Sequence, residues 1–354
     1  MARRRGLRRQ RFQEAHRILR KERSGQRDVY CPLSKIGFEM GAPMGPVHER
    51  YEARIEDEGK TRTLALAPTA VAQLSAVAGV PRYFLERVPP ALGLKLFRCM
   101  LDVAAGEKDP TYLLRLQEGR SPKIRAMLPA SFVRISDREL LEDLERSTAG
   151  RPLTITNLYV SEDVFSIRTV FSEEVTDIGT SRHPDPMMPG LDLRASETGV
   201  YPLQVRRLVF REVCSNGVTS ISDMHKVYRK RMASFDRAEF RAGLRAGVEE
   251  SIQFGKDVTE RLTVARTDTL HDTSIEVARV FRKYKLGSPR GERARWVTAE
   301  LLRNASLFGV GKFELVQAFT GVARGLEHDN RLRWEDAMAD YLLTSVGSGD
   351  VPSA

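Results

Sequence analysis

Arg206, Arg207 and Arg211 on one stretch, and Arg229, Lys230 and Arg231 shortly after, carry the chemistry most readily read from this chain. A guanidinium is a planar fork of donors that matches phosphate oxygens, and several in a groove would track a polyphosphate backbone. Tyr228 and Tyr284 lie among the charges, where an aromatic face can stack on a nucleobase. Lys283 to Arg295 is a second basic segment, broken by Gly287-Ser288-Pro289, with Arg282 just before it. The competing role for all of these is ion pairing with the body's own carboxylates. Three other constellations are weaker. Cys214, Asp223 and His225 offer a thiol, a base and an orienting carboxylate, but no oxyanion-hole pattern accompanies them, and a lone cysteine at a strand end usually packs. His183, Asp185, Asp192 and Glu197 are metal-ligand types, and a nuclease acting through Asp185, Asp192 and Glu197 is the enzymatic alternative, without a supporting ligand spacing. Gly309-Val310-Gly311-Lys312 lacks both the spacing and the hydroxyl of a phosphate loop. With no nucleotide fingerprint, no cofactor and no catalysis are expected.

The net charge of +10 is unevenly placed. Residues 1–27 hold ten Arg and one Lys against Glu14 and Glu22, which leaves 46 basic and 45 acidic residues in the remainder. A nearly neutral body thus carries a basic arm, with Arg3, Arg4, Arg5, Arg8 and Arg9 at its head. Such a block draws polyanions. No apolar run approaches the ~20 residues that span a bilayer, so no membrane partner is expected. Three scattered cysteines argue against a disulfide framework and fit a reducing cytoplasm.

The elements that must position these groups follow from periodicity. Arg3 to Arg11 reads as disordered, and Gln10 to Arg23 as a short amphipathic helix. Tyr51, Ala53 and Ile55, a turn at Asp57 to Lys60, then Leu64 and Leu66 make a hairpin. Pro68 opens a helix that Gly79 stops, and two more helices flank Pro89-Pro90. Strands are expected around Tyr112 to Leu116 and Ile124 to Leu128, a capping box at Ser136 to Glu139, and strands at 153–160 and 164–171. Residues 180–196, rich in Pro, Gly and Asp, read as a long loop. Val200 to Gly217 reads as one central strand ending in an Asn-Gly turn. Asp236 caps a long helix, and Trp296, Phe313 to Ala323 and Glu335 to Val346 lie in further helices. The fold class is therefore α+β, an antiparallel sheet core with flanking helices followed by a helical C-terminal part. The divisions are a flexible basic arm (1–27), an α+β core (28–233), a helical region (234–346) and a loose tail (347–354).

The run Arg207-Leu208-Val209-Phe210-Arg211-Glu212-Val213-Cys214-Ser215-Asn216-Gly217 resembles the hallmark of family 932 of the domains of unknown function, bacterial and phage proteins described as phage/plasmid-like. Ser196 to Gly199, Ala72 to Phe84, Ala126 to Leu141 and Phe308 to Val322 are similar to other steps of that family. Two departures stand out: Leu307 or Phe308 where the family carries a late tryptophan, and a segment after Asn-Gly with less histidine. The resemblance implies a product of mobile elements and, by looser analogy, phage single-strand-annealing proteins that form rings without a cofactor.

Together these readings predict a cytoplasmic protein that binds nucleic acid, single-stranded DNA above all, anneals strands and forms homo-oligomers. Its contacts would be Arg206, Arg207, Arg211, Tyr228, Arg229, Lys230, Arg231, Arg282, Lys283 and the arm arginines. The alternatives are a protein-interaction module that inhibits a host factor, and the metal-dependent nuclease.

Overall fold

A computed structural model describes residues 2–42, 44–133, 135–178, 186–211, 216–219, 226–230, 236–304 and 310–345, with the backbone alone at some of them, among these 2–11, 211, 216–219 and 226–230. Among the described residues the helices are α1 (Ala2–Glu22), α2 (Val47–Arg50), α3 (Pro68–Ala78), α4 (Arg82–Arg87), α5 (Pro90–Ala105), α6 (Asp137–Ser147), α7 (Arg237–Thr267), α8 (Thr273–Lys283), α9 (Glu292–Asn304), α10 (Lys312–Ala323) and α11 (His328–Ser345). None is long and apolar enough to cross a membrane.

Two sheets carry the α+β fold. The first comprises β1 (Gln26–Pro32), β2 (Gly37–Met40), β3 (Tyr51–Asp57), β4 (Lys60–Leu66), β5 (Thr111–Gln117) and β6 (Lys123–Pro129), in the order β1-β5-β6-β4-β3-β2. Only β4 and β6 run parallel. Glu58 and Gly59 both have positive φ (52° and 75°), so a tight two-residue turn joins β3 to β4 where the sequence places it. Pro68 starts α3, and Gly79 at φ 64° ends it. One face of this sheet buries Ile55, Leu64, Leu116 and Ile124 against Leu74 of α3 and Phe97 of α5.

The second sheet comprises β7 (Leu153–Val160), β8 (Phe165–Phe171), β9 (Thr176–Asp177), β10 (Pro186–Ala195), β11 (Leu203–Arg211), β12 (Asn216–Thr219) and β13 (Lys226–Lys230). Its order is β12-β11-β10-β8-β7, with β13 also on β11 and β9 on β10. Phe165, Ile167, Leu193, Leu203 and Val205 pack against α1, α6 and the first half of α7. Met187 and Val209 join the core of the second half of α7 and α8–α11. The C-terminal helices therefore share a core with this sheet.

Three expectations need correction. The expected loop at 180–196 is β10 from Pro186 onward, a ten-residue strand in the middle of the sheet. Its unpromising residues each have a reason. Pro189 lies one position beyond the first β8 pair, Gly190–Val170, where that ladder makes no demand on the missing N–H. A Cβ at Gly190 would overlap the Thr169 carbonyl. Asp192 faces two arginines. Second, Asn216 and Gly217 are not a turn; they pair as strand residues of β12 with Arg211 and Phe210. Third, the basic arm is not loose throughout. α1 begins at Ala2, and Phe12, Ala15 and Leu19 are buried against α6 and the second sheet.

Candidate nucleic-acid interface

The second sheet's face opposite α7 explains Arg206. In the antiparallel ladder Asp192 of β10 stands directly between Arg168 of β8 and Arg206 of β11. Residues in register project to the same side, so the three side chains form an Arg–Asp–Arg row. Arg206 is 2% exposed; it donates to Asp192 and, at 3.1 and 3.2 Å, to Asp336 of α11. Arg168 donates to Glu335, whose other donor is Arg331 one helical turn away at 2.8 Å. Three cations thus meet three anions. Burial alone would raise the Asp192 carboxyl, but Arg206 and Arg168 outweigh it and hold that group below the usual carboxylate range. Enclosed in this way, Arg206 offers nothing to a phosphate, which corrects its expected place in a basic groove.

A second interior knot joins the two sheets. Arg23, just past α1, donates to Asp137 at 2.9 and 2.7 Å. The Glu197 side chain accepts from the Asp137 backbone N–H at 2.9 Å, and Arg115 and Arg125 approach it at 3.7 and 3.5 Å. Arg115 also donates to Asp28 at 3.0 Å and to the Glu197 carbonyl at 2.7 Å. Here burial and the neighbouring Glu197 carboxylate push the Asp137 carboxyl up to about 7, against the pull of Arg23. Asp192 and Glu197 therefore serve different arginine clusters and do not converge on a cation. His183 and Asp185 lie outside the described residues, among which no group of three or more ligands could hold a metal.

The remaining candidates divide. Arg207 points to the α7 side, half-buried, with its guanidinium carbon 5.2 Å from the Phe254 ring centroid. Burial lowers its pKa, with Glu250 and Asp257 acting in the other direction. The Arg211 backbone pairs with Met187 and Asn216. Tyr228, Arg229 and Lys230 lie opposite Val205, Gln204 and Leu203 on β13. The side chains of Arg211, of these three, and of Arg3, Arg4, Arg5, Arg8 and Arg9 in α1 lie outside the described set, as do Arg231 and the Cys214, Asp223 and His225 constellation. Tyr284 is half-buried and donates to Asp340 at 2.8 Å, so it is a packing residue. Lys312 pairs with Asp268 at 2.8 Å beside Gly311, which caps α10; that stretch is structural.

The end of α8 and the start of α9 differ in kind. Arg282, Lys283, Lys285, Arg290, Arg293 and Arg295 are all exposed. Lys283 lies 3.9 Å from Asp340; the other five side chains have no ion pair among the described residues. Glu292 is the only acid between 282 and 295. Ala294, Val297 and Leu301 anchor α9 in the core, which turns Arg293, Arg295 and Trp296 outward. The sequence marked this segment as basic, but only packing reveals that Lys285, Arg290, Arg293, Arg295 and Trp296 face solvent. Compared with models of protein families, with curated proteins and with solved structures, the chain matches none.

Proposed function

We propose that this protein binds nucleic acid, single-stranded DNA in particular, through phosphate contacts from its exposed cations. The supporting observation is the contrast between arginines neutralised in the interior and the solvent-facing cations of 282–295, five of which have no ion pair among the described residues. Those five cations on one short segment can meet phosphates without breaking an ion pair to any described residue. Arg282 and Lys283 belong to this surface. The arginines at the head of α1 and the residues Arg229 and Lys230 of β13 add non-specific affinity in the same reading, while Arg206 is withdrawn from it. Strand annealing and self-assembly are extensions of this activity.

A salt titration tests it. Binding of a fluorescent oligonucleotide should weaken steeply with ionic strength, each phosphate contact adding about 0.7 to the magnitude of the log–log slope for a single strand. Removing residues 2–9, with their five arginines, should lower that slope by up to about 3.5 while leaving Phe12 and Leu19 in the core. Binding that ignores salt would remove the proposal. Copurification of a protein partner on the α9 face, with no affinity for DNA, would favour the interaction-module reading.

A further inference from the structure

We infer that Trp296 is a stacking platform for an unpaired base, and that it sets a preference for single strands over duplex. This rests on the nucleic-acid reading above. The chain has two tryptophans, and the fold treats them oppositely. Trp334 is 1% exposed and packs edge-on against Phe281, with centroids 5.4 Å apart, and against Phe319 at 5.6 Å. Trp296 is 47% exposed, although α9 has buried positions to spare at Ala294, Val297 and Leu301. On a helix surface its neighbours three and four positions away are Glu292, Arg293, Ala299 and Glu300. Helical side chains lean towards the helix N-terminus, which for Trp296 is the end carrying Arg290 and Arg293 with Glu292 between them. Arg293 and Arg290 have no ion pair among the described residues, so phosphates held there would bring a flexible strand past the indole. The Glu300 carboxylate is already taken by Arg303 at 2.9 Å, which limits its repulsion of a polyanion. Ala299, also exposed, has the smallest side chain of the four neighbours. A duplex offers its phosphates to the same cations but keeps its bases stacked on one another, so it gains nothing from the indole.

The test uses the full chain, with oligo(dT) as the single-strand probe and a hairpin duplex of equal charge. Binding is followed by anisotropy and by intrinsic fluorescence together. Oligo(dT) should quench the emission of Trp296, while the hairpin binds without quenching. Trp296→Ala should bind oligo(dT) roughly 5- to 150-fold more weakly and the hairpin as before, with its remaining tryptophan silent. Trp296→Phe, which keeps a ring, should recover most of the oligo(dT) affinity. Binding of oligo(dT) without quenching, or equal weakening of both probes in Trp296→Ala, would overturn the stacking role and leave the phosphate reading intact. No binding of either probe at low salt would overturn both. Wild-type unfolding midpoints in the variants keep the comparison clean, since a half-exposed side chain is replaced.

Discussion

The arginines of the two interior knots and those of the α8–α9 segment are chemically identical and physically opposite. In the body, Arg206 and Arg168 stand in register with Asp192 and are closed off by Glu335 and Asp336. At α8–α9, Arg290, Arg293 and Arg295 face water without an ion pair among the described residues. A buried guanidinium persists only where carboxylates offset its lost hydration, and it is then unavailable to any ligand. An exposed one adds little to stability and keeps its donors for a partner. A count of arginines therefore says less about polyanion binding than a count of those without partners. The two interior knots differ in turn. Both combine three arginines with three carboxylates, yet one lowers its central carboxyl and the other raises it, because Asp192 sees cations on both sides whereas Asp137 abuts Glu197.

The sharpest break in the comparison should come from Arg206→Met. It leaves Asp192 with one of its two flanking arginines, Arg168 at 3.9 Å, and removes the guanidinium that Asp336 accepts from, and urea unfolding should show a loss of about 3 kcal/mol. Adding Asp192→Leu to that variant should recover part of the loss. Next in size is a pH effect from Asp137. Its native carboxyl keeps the proton to about pH 7, whereas the unfolded group loses it near the ordinary value of 3.8. Between those values the folded state binds more protons, so this contribution is full below the lower value and fades as pH rises to the upper. The slope is at most about 1.4 kcal/mol per pH unit. Asp137→Asn should flatten the dependence of the unfolding midpoint on pH across that window; an unchanged slope would refute the assignment. The Asp192 contribution runs the other way, lost only as pH falls below the usual carboxylate range.

The exposed side of the comparison predicts a smaller free-energy change with a different readout. The triple variant Arg290→Glu, Arg293→Glu, Arg295→Glu should leave stability within about 0.5 kcal/mol. Its affinity for oligo(dT) should fall at least about tenfold, with the salt slope reduced by about 2. Equal binding by the variant would show that these cations are bystanders. Smallest of all, Glu58→Asn should stabilise the β3–β4 turn by about 0.5 kcal/mol, because asparagine tolerates the left-handed backbone that glutamate holds there at φ 52°.

Local signals were legible in the sequence wherever neighbours along the chain decide the outcome. The hairpin turn at Glu58-Gly59, the capping box of Ser136 with Glu139, and the Asp236 cap that accepts from Ala238 and Glu239 all formed as their residue types require. What could not be read depends on partners far away. β10 looks like a loop because proline, glycine and aspartate punctuate chains in isolation, and only the neighbouring strands supply the reasons those residues are tolerated. Arg206 looks like a surface cation until α11, 130 positions later, brings Asp336 to it. For the candidate site the basic segment was visible, but which of its side chains face solvent follows from how α9 seats Val297 and Leu301.

The row Arg168–Asp192–Arg206 has one more effect. Because side chains alternate across a strand, sliding β10 by a single residue would carry Asp192 to the α7 side among Leu193, Leu203 and Val205, and would leave two guanidinium groups facing Leu191 or Leu193. A purely apolar middle strand would pay little for such an error. Here the misaligned sheet would bury Asp192 without its two arginines and take from both arginines the carboxylate they share, so the row acts as a key that fits one alignment of three strands and rejects the rest.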